Sequence, residues 1–165
     1  MSYKEQKTIT QLVTSSVVFA AYCIHAFGQY QARAVAEGDL RFWAITMLTF
    51  IGIGIVASIV ILIVFHILHS IGISIREKVW DHDRGEKEIE TAIKSEMIED
   101  EMDKLIELKS NRIGFFLAGI GFVAALVSLA MNQSPVVMLN IIFISFFAGS
   151  LLEGGAQLYY YRRGI

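Results

Sequence analysis

The chain has 165 residues, with 55% hydrophobic and 18% charged residues, a mean hydropathy of +0.54 and a formal net charge of −2. About one domain's worth of chain with this composition excludes an ordinary soluble protein, and the mildly acidic balance gives no basic footprint for direct nucleic-acid binding. The single cysteine, Cys23, excludes an intrachain disulfide, a dithiol redox pair and a cysteine-based zinc site.

Charge is missing in three blocks. Residues 8–32, 42–75 and 113–152 contain no Asp, Glu, Lys or Arg, and together they hold 99 residues. A spanning helix needs about 20 apolar residues, so the chain reads as an all-α integral membrane four-helix bundle with a cytoplasmic helical extension. The first block supports one span over about residues 9–28; it lacks a small-residue cleavage site before a polar region, so it is read as a retained span and not a signal peptide. This is the least apolar span. Gln11, Ser15, Tyr22, His25 and Gln29 lie near one face, which should point into the bundle for hydrogen bonding or line a narrow polar path.

The second span opens on the interfacial aromatic pair Phe42 and Trp43 and covers about residues 42–67, with helix continuing through Ile75. His66 and His69 share a face near its end. Residues 76–112 carry 12 of the 16 acids. Asp81-His82-Asp83 lacks the remaining acids and the glycine of a calcium loop and is read as a turn. From Glu86 to Asn111 neither Pro nor Gly occurs, so this stretch predicts a helix running into the third span, kinked near Met97 or touching two surfaces. Its two apolar patches, Ile89-Ile93-Met97 and Ile98-Met102-Leu105-Ile106, suit either a solvated connector or a docking surface for a cytoplasmic partner.

The third block is too long for one helix. Asn132-Gln133-Ser134-Pro135 divides it into spans of about residues 113–131 and 136–157. In the third span Gly114, Ala118, Gly121, Ala125 and Ser128 recur at alternating steps of four and three, a seam along which helices approach closely in lipid. It serves packing within the chain or a homo-oligomer contact; Ser145 and Gly149, or Gly54 and Ser58, are candidate opposing surfaces. Glu153, His66, His69 and Arg112 fall at a similar level and form a candidate polar cluster, either structural or, by ligand type alone, a metal site. Catalytic residues and cofactors are assigned to none, because no nucleophile elbow, phosphate loop or zincin motif occurs.

Lys and Arg placement sets orientation. Twelve of the 14 fall at the N-terminus, in residues 76–112 and at Arg162-Arg163; only Arg33 and Arg41 lie on the other side. Both termini and the central segment should therefore be cytoplasmic, in a multi-pass protein of the plasma membrane. Met47, Leu48, Ile51, Ile53 and Ala57 match Met138, Leu139, Ile142, Ile144 and Ala148 at a constant offset of 91, as a parallel duplication of the two hairpins would produce.

The segment from Asp100 to Gly114, the closing Leu158-Tyr159-Tyr160-Tyr161-Arg162-Arg163-Gly164-Ile165 and Val137-Met138-Leu139-Asn140 resemble small bacterial and archaeal four-span membrane proteins of unknown function. The resemblance covers the second half of the chain. It implies a membrane-side regulatory partner, since such proteins are often encoded beside a small helix-turn-helix regulator. It carries no catalytic residues. The reading that follows is a non-enzymatic sensor or scaffold acting through its cytoplasmic segment. Its rival is a small oligomeric channel or transporter lined by the polar face of the first span.

Overall fold

The computed structural model describes residues 3–32, 39–80 and 100–163. Four helices account for nearly all of them: α1 (Tyr3–Ala32), α2 (Leu40–Trp80), α3 (Glu101–Ala130) and α4 (Pro135–Arg163). Each is long and apolar enough to cross a membrane. The protein is an all-α, multi-pass membrane bundle of two hairpins. At 1.5 Å per residue α2 is about 61 Å long, twice the hydrocarbon thickness, so it must tilt or protrude.

The helices do not close evenly around one axis. α3 packs most extensively on α4, α4 and α2 both pack on α1, and α2 touches α4 only lightly. α1 and α3 flank α4 without packing extensively on one another. With no water in hydrocarbon, hydroxyls in the spans must find backbone partners. Many do: Thr10, Thr14, Ser16, Thr49 and Ser145 each donate to the carbonyl four residues back, at 2.6–2.8 Å.

The turn between α3 and α4 follows from its residues. Asn132 takes the left-handed conformation (φ 60°), which Asn tolerates better than most side chains. Its N–H donates to Leu129 and that of Gln133 to Ser128, closing the helix end in a Schellman motif. Pro135 then occupies the first position of α4, where its missing N–H costs nothing.

At the other end of α3 the structure starts the helix at Asp100, three residues beyond the kink near Met97 allowed for in the helix expected from Glu86 into the third span. Asp100 is extended (φ −90°, ψ 175°) and caps α3 in a capping box: its carboxylate accepts from the Asp103 N–H at 2.7 Å, and that of Asp103 accepts from the Asp100 N–H at 3.2 Å. Two short acids spaced by three satisfy the free N–H groups of a helix start better than they serve a helix interior. Ile89, Ile93, Met97 and Ile98 lie outside the described residues.

Candidate functional site

All five small residues of the third span are buried, and Ile106 and Ser110 extend the buried line toward the helix start. The glycines face α4. A Cβ on Gly114 would lie 2.9 Å from the Gly149 carbonyl oxygen, one on Gly149 would lie 2.7 Å from that of Gly114, and one on Gly121 would overlap the Ser145 side chain. The seam is thus occupied within the chain. Gly54 instead faces Val18 of α1, and Ser58 lies in a groove between α1 and α2.

Gly114 also makes room for Glu153. A Cβ at position 114 would stand 3.1 Å from both Cβ and Oε2 of that residue. Glu153 is half-buried and lines a polar cleft of ≈ 350 Å³ between α1, α3 and α4, at the end of the bundle that carries both chain termini. α4 forms its back through Ser150, Glu153 and Gln157; α1 and α3 form its sides. The two sides are bridged by Lys4 Nζ and Asp103 Oδ2 at 3.5 Å, and Thr8 donates to Gln157 Oε1 at 3.3 Å. On α1 the lining residues Lys4, Lys7, Thr8, Gln11 and Ser15 fall on one stripe, so the cleft extends about 16 Å along the helix. Beyond Ser15 and Ser150 it ends at Phe19 and Phe147, stacked with centroids 5.5 Å apart. One turn further Tyr22, 1% exposed, donates to Asn140 Oδ1 at 2.7 Å and packs on Phe143 and Phe50.

Charges in the cleft are only partly matched. Lys4 and Asp103 pair. Among the described residues, no hydrogen bond or ion pair holds Lys7, Glu107 or Glu153. Ser110, between Glu107 and Gly114 on the buried face of α3, is 0% exposed, and its hydroxyl has no partner among the described residues.

The expected cluster of His66, His69, Glu153 and Arg112 is not brought together. His66 and His69 gather on Tyr3 of α1: the Tyr3 hydroxyl hydrogen-bonds with His66 Nδ1 at 2.7 Å, and the His69 ring centroid lies 4.6 Å from that of Tyr3. Glu153 lies in the cleft, which neither histidine lines. Arg112 is exposed on the outer side of α3, beside Phe115, Phe116 and Ile120. They differ in depth as well as direction: the histidines pack on Tyr3, whereas Gly154, next to Glu153, faces Leu12, nine residues further along α1. Among the described residues no group of three or more His, Cys, Asp or Glu is placed to hold a metal ion.

The polar face of α1 is likewise divided. Its buried line is Thr14, Val18 and Tyr22, whose four-residue steps drift about 40° per turn around the helix. Gln11 and Ser15 therefore reach the cleft, while His25 is exposed near Phe50. Of the apolar extension, Ile106 is buried, whereas Met102, Leu105 and Leu108 are exposed. Sequence reasoning missed Lys4, Lys7, Asp103, Glu107 and Gln157 as lining residues. The stripe of polar residues from Lys4 to Ser15 was the available signal, obscured by starting the first span at Ile9. No family model, curated protein or solved structure matches the chain.

Proposed function

We propose that the protein is a non-enzymatic sensor or scaffold of the plasma membrane, with both termini cytoplasmic, acting through the start of α3. One observation carries this reading: the same short stretch of α3 walls a polar cleft on one side and exposes an apolar patch on another. Asp103 and Glu107 line the cleft, while Met102, Leu105 and Leu108 are exposed. Occupancy of the cleft would act on the very turns that a cytoplasmic partner would grip. The stacked Phe19 and Phe147 and the buried Tyr22 beyond them favour this reading over conduction along the polar face of α1. A partner of the small DNA-binding regulator type, the class implied by the resemblance of the second half, fits a membrane-side regulatory role.

Pull-down in mild detergent with mass analysis tests the proposal. A stoichiometric partner should be recovered with the wild type and lost when Met102 and Leu105 are both replaced by Ser, with the thermal midpoint nearly unchanged. Recovery of no partner, together with ion flux in proteoliposomes, would transfer the assignment to the channel. A reporter active only outside the cytoplasm should give signal at Val35 and Gln133 and none at the C-terminus; the opposite pattern would put the cleft on the wrong side for a cytoplasmic partner.

A further inference from the structure

The cleft is built from side chains of three helices, and its charges are of both signs. With Lys4 and Asp103 paired across the mouth, Lys7, Glu107 and Glu153 are left over. Glu107 and Glu153 lie on adjacent walls, with the Gln11 amide opposite on α1. An ionisable group held inside a membrane bundle is costly unless a partner satisfies it; Glu153 is half-buried with no such partner among the described residues, while Glu107 reaches the cleft from an exposed position. A volume of ≈ 350 Å³ is far larger than a bare ion and matches a small organic molecule. Because α1 and α3 flank α4 without packing extensively on each other, and Gln11, Glu107 and Ser150 are exposed, the cleft is open between α1 and α3, at the end of the bundle that carries the chain termini.

We infer that this cleft binds a small zwitterion, its primary ammonium held by Glu107 and Glu153 and its anionic group by Lys7. The ammonium supplies N–H donors to the two carboxylates and the Gln11 carbonyl, and the flexible lysine takes a phosphate or carboxylate as a point charge. A purely anionic ligand would meet two carboxylates, and a purely cationic one would meet Lys7. The same chemistry is presented by an ethanolamine phospholipid headgroup and by a free solute such as phosphoethanolamine. The inference stands whether or not a protein partner exists.

The test uses the full chain, purified in detergent and stripped of lipid. Native mass spectrometry with phosphatidylethanolamine against phosphatidylcholine reads the lipid source; the latter's quaternary ammonium has no N–H to donate. Calorimetry with phosphoethanolamine, ethanolamine and inorganic phosphate reads the soluble source. Phosphatidylethanolamine should be retained in preference to phosphatidylcholine if the headgroup is the ligand. Phosphoethanolamine should bind better than either of its halves if a free solute is the ligand. Glu153→Gln should weaken binding about tenfold or more, the value of one charge-assisted hydrogen bond. Lys7→Met should abolish the advantage of phosphoethanolamine over ethanolamine. If Glu153→Gln fails to fold, Lys7→Met and Gln11→Leu decide alone. Equal retention of the two lipids with no binding of any solute, or binding unchanged in these variants, would overturn the inference.

Discussion

The two hairpins share a plan, two long apolar helices joined at the end away from the termini, yet different chemistry holds them. Between α3 and α4 the contact runs through small residues: backbone meets backbone at Gly114 and Gly149, and Gly121 admits the Ser145 side chain. Between α1 and α2 it runs through rings: Tyr22 against Phe50 and Met47, and Tyr3 against Phe65, His66 and His69. Small residues let two helices meet along their whole length. Rings hold them at a few points and prop them apart between, where a groove of ≈ 380 Å³ opens beside Gly54 and Ser58. The tight hairpin is thus the rigid half against which α1 leans. The polar cleft forms where α1 approaches α4 closely enough for Thr8 to reach Gln157 but does not close on α3.

The largest effect should come from filling the tight seam. Gly121→Leu places a branched side chain where Ser145 already stands. Overpacking of this kind costs about 3 kcal/mol or more when the backbone cannot yield, so loss of the folded bundle in detergent is expected. Phe122→Leu, at a residue 53% exposed, should change the thermal midpoint little. Equal effects at the two positions would mean that the seam does not carry the hairpin. A change in oligomer size alone would move the seam to a contact between copies.

A smaller substitution sharpens the same point. Gly149→Ala adds one methyl carbon, but its nearest neighbour is a backbone oxygen, the Gly114 carbonyl at 2.7 Å. A flexible side chain could swing away; a helix backbone must shift as a whole. A loss of about 1–3 kcal/mol is expected, read from reversible unfolding in mixed micelles. Between the two hairpins, where α1 meets α4, the corresponding test is polar. Tyr22→Phe keeps the ring contacts with Phe50 and Phe143 but strands the Asn140 acceptor. Interhelical hydrogen bonds in membrane proteins contribute about 0.6–1.7 kcal/mol, and a loss within that range is expected.

These contrasts also mark what could be read from the chain. The uncharged blocks locate all four helices, and the polar Asn132–Pro135 break locates their tightest turn, because lipid imposes the same demand on every spanning residue. The small-residue seam is legible for the same reason: its spacing is a property of one helix. The cleft is not. Its residues are drawn from α1, α3 and α4, and only the packing of α1 and α3 on α4 unites them. Glu153 and the two histidines looked like one cluster because depth was counted from the span ends, which fails for a helix as long as the 41 residues of α2, and because sequence gives azimuth only relative to the same helix. Nothing in the chain places the face of α2 bearing His66 relative to the face of α4 bearing Glu153.

The smallest expected effect is the most discriminating. Gly54, four residues before Ser58 in α2, suits a close helix approach by sequence alone as Gly114 and Gly121 do in α3, and Gly52 lies on another side of the same helix. A Cβ on Gly52 would meet nothing within 4 Å, and one on Gly54 would meet only Val18 Cγ1, at an ordinary 3.7 Å. Neither position needs to be empty. In a helix interior glycine costs about 0.5–1 kcal/mol relative to alanine through the backbone freedom it loses on folding. Gly52→Ala and Gly54→Ala should therefore leave stability unchanged or raise it by about 0.5 kcal/mol, while the same change at Gly149 lowers it. Opposite signs for one substitution in two hairpins would show that packing, not intrinsic helix preference, decides where glycine is required. Destabilisation at Gly54 comparable to that at Gly149 would mean that α2 packs against α1 or against another copy far more closely than its aromatic contacts allow, and the contrast between the hairpins would fall.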